Sequence, residues 1–216
     1  MSDAAPVPSL RGKLLLIFDL DGTLVDSSPL HARAFEEAFA PHGVMVDYGT
    51  IAGMTTASAV ERVAAGAGLQ LDEEEKARLI GDKRARALRL IENELTPIAG
   101  AVEFVRAARP RFRLALCTSA SRRGAEAALS RVGLTGCFDP VVTAEDVREG
   151  KPAPEAFLRA LEAHGVPAGD ALVFEDAESG LAAAAAAGIE AVRIDPADPS
   201  AVSWTQLLAA LDEARP

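Results

Sequence analysis

Long hydrophobic runs are missing from this 216-residue chain. No stretch approaches the roughly 18 apolar residues that cross a bilayer, so no membrane partner is expected. Positive charge is scarce as well. Lys and Arg number 22 against 32 Asp and Glu, and the formal net charge is −10. That excludes the basic surface on which nonspecific nucleic-acid binding depends. It does not exclude a small phosphorylated metabolite, because a divalent cation and a few local dipoles can reverse the field inside one pocket. Cysteine is limited to Cys117 and Cys137. Their spacing suits neither a metal site nor a disulfide scaffold, and a reducing compartment fits better. Residues 1–12 lack the apolar centre of a signal peptide and read as a flexible tail. A cytoplasmic monomer is the expectation.

What is present is an alternation. Short, nearly continuously apolar runs at 13–18, 112–117, 140–143, 170–174 and 190–194 read as parallel strands covered on both faces. Helix patterns at 100–109, 121–132, 153–164 and 178–187 lie between them, three of them closed by Gly133, Gly165 and Gly188. Alternation of this kind implies an α/β fold, a Rossmann-like doubly wound parallel sheet. The run "LAAAAAAG" (181–188) reads as a helix whose small side chains allow close packing on that sheet.

Strand signals are absent from residues 29–95. Helix patterns at 29–41, 57–66 and 73–93 fill the stretch, the third acidic early and basic late, as a helix dipole favours. An insert of this length is too great for a crossover loop. The expected division is a core of 13–26 and 97–216 with an all-helical insert at 27–96.

The opening of the core poses a problem. In "KLLLIFDLDGTLVDSS" (13–28) an apolar run ends on Asp19, and Asp21 follows. Parallel sheets bind ligands beyond the carboxyl ends of their strands. That edge would gather Asp19 and Asp21, Thr118 and Ser119, Lys151, and Glu175 with Asp176. Two unit charges 4 Å apart repel by about 4 kcal/mol at an effective dielectric near 20, so such a cluster needs a partner. Oxygen-only donors select a hard cation, Mg²⁺ above all, whose shell a substrate phosphate completes. Each element also has a plainer reading. Asp21–Gly22 is ordinary turn chemistry, Lys151–Pro152 suits a helix start, and Glu175–Asp176 suits a helix cap. A calcium loop is excluded because Gly22 comes too early and no closing glutamate follows. Cys117, among apolar neighbours, reads as a small buried hydrophobe.

Taken together, "DLDGTLVD" (19–26), "CTSAS" (117–121), "KPAPEAF" (151–157) and "FEDAESG" (174–180) resemble the four ordered motifs of the haloacid dehalogenase superfamily. The helical insert resembles the small cap of its subfamily I, in the branch of β-phosphoglucomutase-like and phosphoglycolate phosphatase-like proteins. The resemblance implies Asp19 as nucleophile, forming an aspartyl-phosphate, and Asp21 as general acid and then base. It implies Thr118 and the Ser119 backbone N–H as phosphoryl contacts and Lys151 as the neutralising cation. Mg²⁺ would be held by Asp19, the Asp21 carbonyl and Asp176, with Glu175 as a further ligand or a group behind the ligands. His31 would lie near the leaving group, and Ser27–Ser28 and Thr96–Pro97 would be hinges.

An aspartate at position 21 disfavours dehalogenase and phosphonate-cleaving chemistry, which lack it, and leaves phosphoryl transfer. Mutases of the resembled branch place a lysine before a loop glycine and an arginine shortly after. Here Gly53 is matched, but Ala52 and Thr56 stand at those positions. With no anchor for a second phosphate, a Mg²⁺-dependent phosphatase acting on a small phosphomonoester such as a sugar phosphate is expected. A phosphomutase is the alternative, and a non-catalytic binding protein on this fold is the lesser one. Gly53 and Thr56 are candidate substrate contacts with His31 and Ser119.

Overall fold

A computed structural model of the protein describes residues 6–198 and 200–213. The first strand, β1 (Leu15–Phe18), is buried along its whole length. A two-residue strand follows, β2 (Val25–Asp26), and then three helices: α1 (Ser28–Phe39), α2 (Thr56–Gly66) and α3 (Glu73–Glu94). The chain returns through β3 (Thr96–Pro97) and α4 (Ala101–Ala108). It then alternates β4 (Arg113–Cys117), α5 (Arg122–Arg131), β5 (Val141–Val142), α6 (Glu155–His164), β6 (Ala171–Glu175), α7 (Glu178–Ala186), β7 (Glu190–Arg193) and α8 (Trp204–Glu213).

Five strands form one parallel sheet in the order β5-β4-β1-β6-β7, with Phe18 in register with both Leu116 and Phe174. Period-two alternation divides its side chains between two faces. Leu15 and Ile17 join Ala115, Cys117 and Val173 in one core cluster, against Phe157 and Ala160 of α6 and Ala183 and Ala184 of α7. On the other face, Phe18 and Phe174 pack with Phe104 of α4 and Trp204 of α8, at ring centroid separations of 5.0 to 6.2 Å. Covering on both faces is why the inner strands β1 and β6 are buried throughout, whereas the edge strand β7 buries only Val192 and exposes Glu190 and Arg193. The alanine run of α7 buries Gly180, Ala183 and Ala184, so the helix approaches the sheet closely.

The chain divides into two compact units, residues 1–26 with 96–216 and residues 27–95. In the helical unit Phe35, Phe39, Ile51, Val60 and Leu79 make an apolar cluster. A reciprocal capping box starts α3: Asp72 Oδ1 accepts the Glu75 N–H at 2.8 Å, and Glu75 Oε2 accepts the Asp72 N–H at 2.9 Å. Glu73, Glu74 and Glu75 complement the dipole of the first turn.

Three features depart from the expectation. Residues 1–5 of the expected tail lie outside the described residues. Leu10, however, is buried, and its carbonyl accepts the Lys13 N–H at 3.3 Å, so the chain is anchored from there. Thr96–Pro97, outside the expected strands, form one, paired antiparallel with Val25 and Asp26. Finally, α8 completes the aromatic face. Phe104 lies on that face, against Phe18 and Phe174 near the ends of β1 and β6. Phe104→Ala lowers unfolding stability by about 3–5 kcal/mol, read from urea denaturation followed by Trp204 fluorescence. A loss below about 1 kcal/mol would mean that this face relaxes to fill the cavity.

Candidate active site

Because β1, β4, β5 and β6 are parallel, the residues that follow them emerge at the same edge of the sheet. Asp19 follows β1, Thr118 follows β4, and Glu175 with Asp176 closes β6. The loop after β1 is tight. Leu24 and Val25 both donate N–H bonds to the Leu20 carbonyl, and the Gly22 N–H reaches the Val25 carbonyl at 2.8 Å. Gly22 has φ 85°, and a Cβ there would lie 2.1 Å from Asp176 Oδ2. Glycine is therefore required both for the turn and for the carboxylate beside it. Gly180 plays the same part for Glu175, whose Oε1 would be 1.8 Å from an added Cβ.

Lys151 enters this edge from the loop between β5 and α6. Its ammonium donates to Asp19 Oδ1 at 2.6 Å, to the Cys117 carbonyl at 3.0 Å and to Glu175 Oε1. All three donors of the group are thereby used. The side chains of Lys151, Asp19 and Glu175 are 5%, 9% and 1% exposed, so the ion pairs are shielded from solvent. The ammonium also stands 5.2 Å from the Phe157 ring centroid. Glu155 holds the approach: its Oε2 accepts the N–H groups of Arg148 and Glu149 at 2.8 and 3.2 Å. The loops after β4 and β5 are tied together by Ala144 N–H to the Ala120 carbonyl at 3.1 Å and by Arg122 Nη2 to Asp146 at 2.5 Å.

The electrostatics follow from that crowding. Burial pushes the Asp19 carboxyl well above its ordinary range; Lys151 opposes the rise, while Glu175 and Asp21 add to it. Asp176 is raised to about 6 by burial and by Glu175, against the Thr23 hydroxyl that donates to its Oδ1 at 3.0 Å. Burial also works against the Lys151 ammonium, but Asp19 and Glu175 outweigh it and keep it charged. Cys117, fully buried, is pushed up to about 12 by burial and is no nucleophile. Its carbonyl is what serves the site.

Asp19, Glu175 and Asp176 each offer an oxygen within 4.8 Å of the others. Glu175 Oε2 also accepts the Ala177 N–H at 2.9 Å, and each carboxylate oxygen keeps a further lone pair. Asp176 Oδ2 occupies the space that Gly22 leaves by having no side chain. An all-oxygen, net-negative cluster with such a cradle fits a hard divalent cation of the Mg²⁺ type.

The structure therefore brings Asp19, Lys151, Glu175 and Asp176 into direct contact or close approach, and Asp21 near enough to act on Asp19. Thr118 is buried at the neighbouring strand end. Its oxygen accepts the Ala120 N–H at 3.0 Å, while Ser119 is exposed. His31, Gly53 and Thr56 belong to the helical unit. There His31 Nδ1 lies 3.2 Å from Lys83 Nζ, which stands over the Phe35 ring, and Gly53 is exposed just before α2, the helix Thr56 begins. Sequence reasoning missed Thr23, Gly22, Gly180 and Glu155 as parts of the site. Thr23 and the glycines stand inside the motifs already quoted; what gives them a role is contact with acids more than a hundred residues away, or, for Gly180, five.

The chain matches the haloacid dehalogenase-like hydrolase family over residues 14–188. It is 32% identical over 179 residues to the fructose-1-phosphate phosphatase YqaB of Escherichia coli, covering 83% of this chain and 95% of that protein. It is 36% identical over 178 residues to the validoxylamine A 7'-phosphate phosphatase of Streptomyces hygroscopicus subsp. limoneus, covering 80% and 81%. The crystal structure of CbbY from Rhodobacter sphaeroides in complex with phosphate is 30% identical, with a TM-score of 0.75, covering 92% of this chain and 98% of that one.

The burial of Cys117 gives a direct check on the strand-end geometry. In native protein at about pH 8, Ellman's reagent titrates the partly exposed Cys137 alone, and Cys117 reacts only after denaturation. Fast reaction of both thiols in the native protein would contradict the packing around Lys151.

Proposed function

The chain belongs to the haloacid dehalogenase-like hydrolases and is a phosphatase of that family, and we propose that it hydrolyses a small phosphomonoester, a sugar or sugar-like phosphate, through an aspartyl-phosphate on Asp19. The observation that carries this reading is the 2.6 Å bond from Lys151 Nζ to Asp19 Oδ1. The bond fixes one carboxylate oxygen and leaves the other for attack on phosphorus. Lys151 compensates the charge that gathers as Asp19 and a phosphate dianion approach each other.

In the first step an Asp19 oxygen bonds to phosphorus, and the ester P–O bond breaks. Asp21 gives its proton to the departing alcohol. In the second step Asp21 takes a proton from water, whose oxygen attacks the phosphoryl group and returns Asp19 as carboxylate. Because the Ala120 N–H already occupies the Thr118 oxygen, the Thr118 hydroxyl proton is left to donate to a phosphoryl oxygen, with the Ser119 N–H beside it. Mg²⁺ would be held by Asp19, Asp176, Glu175 and the Asp21 carbonyl; when bound, it supplies positive charge that lets these acids and a phosphate share one pocket.

The helical unit, residues 27–95, serves as the cap in this reading, with His31, Gly53 and Thr56 as substrate contacts. Exposed Ala52 and half-buried Thr56 offer no charge to a second phosphate, which favours water over a sugar hydroxyl as the acceptor and a phosphatase over a phosphomutase. The similarity to YqaB and to the validoxylamine phosphate phosphatase supports a phosphorylated carbohydrate-like substrate.

Phosphorus NMR on a panel of sugar monophosphates with Mg²⁺ tests the reading. Wild type releases inorganic phosphate, and Asp19→Asn lowers the rate by roughly three orders of magnitude or more. Phosphate moved between sugar positions with little release would mean a mutase. A second expectation concerns the cation. A carboxyl with a raised folded pKa binds its proton more tightly than in the unfolded chain, so the cation-free protein is relieved as pH falls through about 6. Mg²⁺ therefore raises the Tm at about pH 7.5, and the gain shrinks towards about pH 5. A Tm that ignores Mg²⁺ at both pH values would contradict the assigned ligands.

A further inference from the structure

Trp204, the single tryptophan of the sequence, lies in the C-terminal helix α8 and is 1% exposed. Its ring meets Phe18, the residue before Asp19, with centroids 5.9 Å apart and planes 24° apart. It meets Phe174, the residue before Glu175, at 5.0 Å. Its indole N–H donates to the Thr23 carbonyl at 2.9 Å, and that bond is buried. The Thr23 hydroxyl in turn donates to Asp176 Oδ1 at 3.0 Å. One side chain thus touches the last apolar residues of both acid-bearing strands and the loop that orients Asp176. The seat is specific: α8 approaches α4 so closely that a Cβ on Gly100 would be 3.0 Å from Trp204 Cβ.

From this chain of contacts we propose that Trp204 is a positioning residue of the cation site, acting through Thr23 to aim the Asp176 carboxylate. The proposal rests on the cation-dependent reading above. Packing alone would need only an aromatic ring at this place. What the ring cannot supply without its nitrogen is a donor for a buried carbonyl, and a carbonyl left unpaired there turns its peptide to find another. Thr23 then moves, and the oxygen it holds moves with it. Groups behind metal ligands commonly change metal affinity by about 10- to 100-fold when removed.

The test is calorimetric titration of cation-free protein with Mg²⁺, using three variants. Trp204→Phe keeps a ring and removes the donor; Thr23→Val keeps the shape and removes the hydroxyl. Leu207→Ala, fully buried on the same helix, destabilises without touching the relay. Thr23→Val weakens Mg²⁺ binding about 10-fold and Trp204→Phe roughly 3- to 10-fold. The double variant is no weaker than Thr23→Val alone, because a broken relay cannot be broken twice. At saturating Mg²⁺ the KM for a sugar phosphate stays at the wild-type value in Trp204→Phe. Leu207→Ala lowers the urea midpoint and leaves Mg²⁺ affinity alone.

Wild-type Mg²⁺ affinity in Trp204→Phe, or equal weakening in Leu207→Ala, would overturn the inference while leaving phosphate release intact. Wild type that binds no Mg²⁺ would overturn it together with the cation reading. Mg²⁺ affinity that falls as expected in a protein releasing phosphate from no ester would support the relay and contradict the proposed reaction instead.

Discussion

The site is organised around one buried positive charge. Lys151 places its ammonium between Asp19 and Glu175 and under the Cys117 carbonyl, and these groups come from the ends of three adjacent strands. Each contact depends on the others. Removing one partner of a buried ion pair costs about 3–5 kcal/mol, because the remaining charge has no water to turn to. The strand ends are therefore held in a register that their backbone bonds alone do not dictate. What makes the arrangement tolerable is its completeness: three donors and three acceptors, with carboxylate oxygens left over for a cation and for chemistry.

Room for so many polar atoms comes from side chains that are absent. Gly22 and Gly180 stand where any Cβ would collide with Asp176 or Glu175. The small residues of α7 let the helix that starts beside the acids lie close on the sheet. Below the edge the chain does the opposite and fills space with rings: Phe18, Phe174, Phe104 and Trp204 make a stiff floor under the strand ends. A crowded floor and an open rim are what a site requires if it is to hold charges in place yet admit a ligand.

Much of this was legible in the residues. Nearly continuous apolar runs marked the inner strands because strands covered on both faces need no polar alternation, and carboxylates marked the ends of β1 and β6. The bounds of β5 were less clear, since only Val141 and Val142 of the expected 140–143 are paired. The ribbon of β2 and β3 was not legible. Two residues a side give no periodicity, and Pro97 reads as a breaker. Nor could a pattern reveal that the Thr23 carbonyl meets an indole 181 positions away. A backbone acceptor has no side-chain signature, and only the fold decides which donor arrives.

The central claim is that Asp19 takes the phosphoryl group. Rapid acid quenching during turnover of a sugar monophosphate, followed by peptide mapping in a mass spectrometer, tests it most directly. The account predicts a phosphoryl increment on the peptide containing Asp19, stable in acid and lost with mild base or hydroxylamine. Phosphate release at full rate with no labelled peptide, or with the label on another residue, would contradict it.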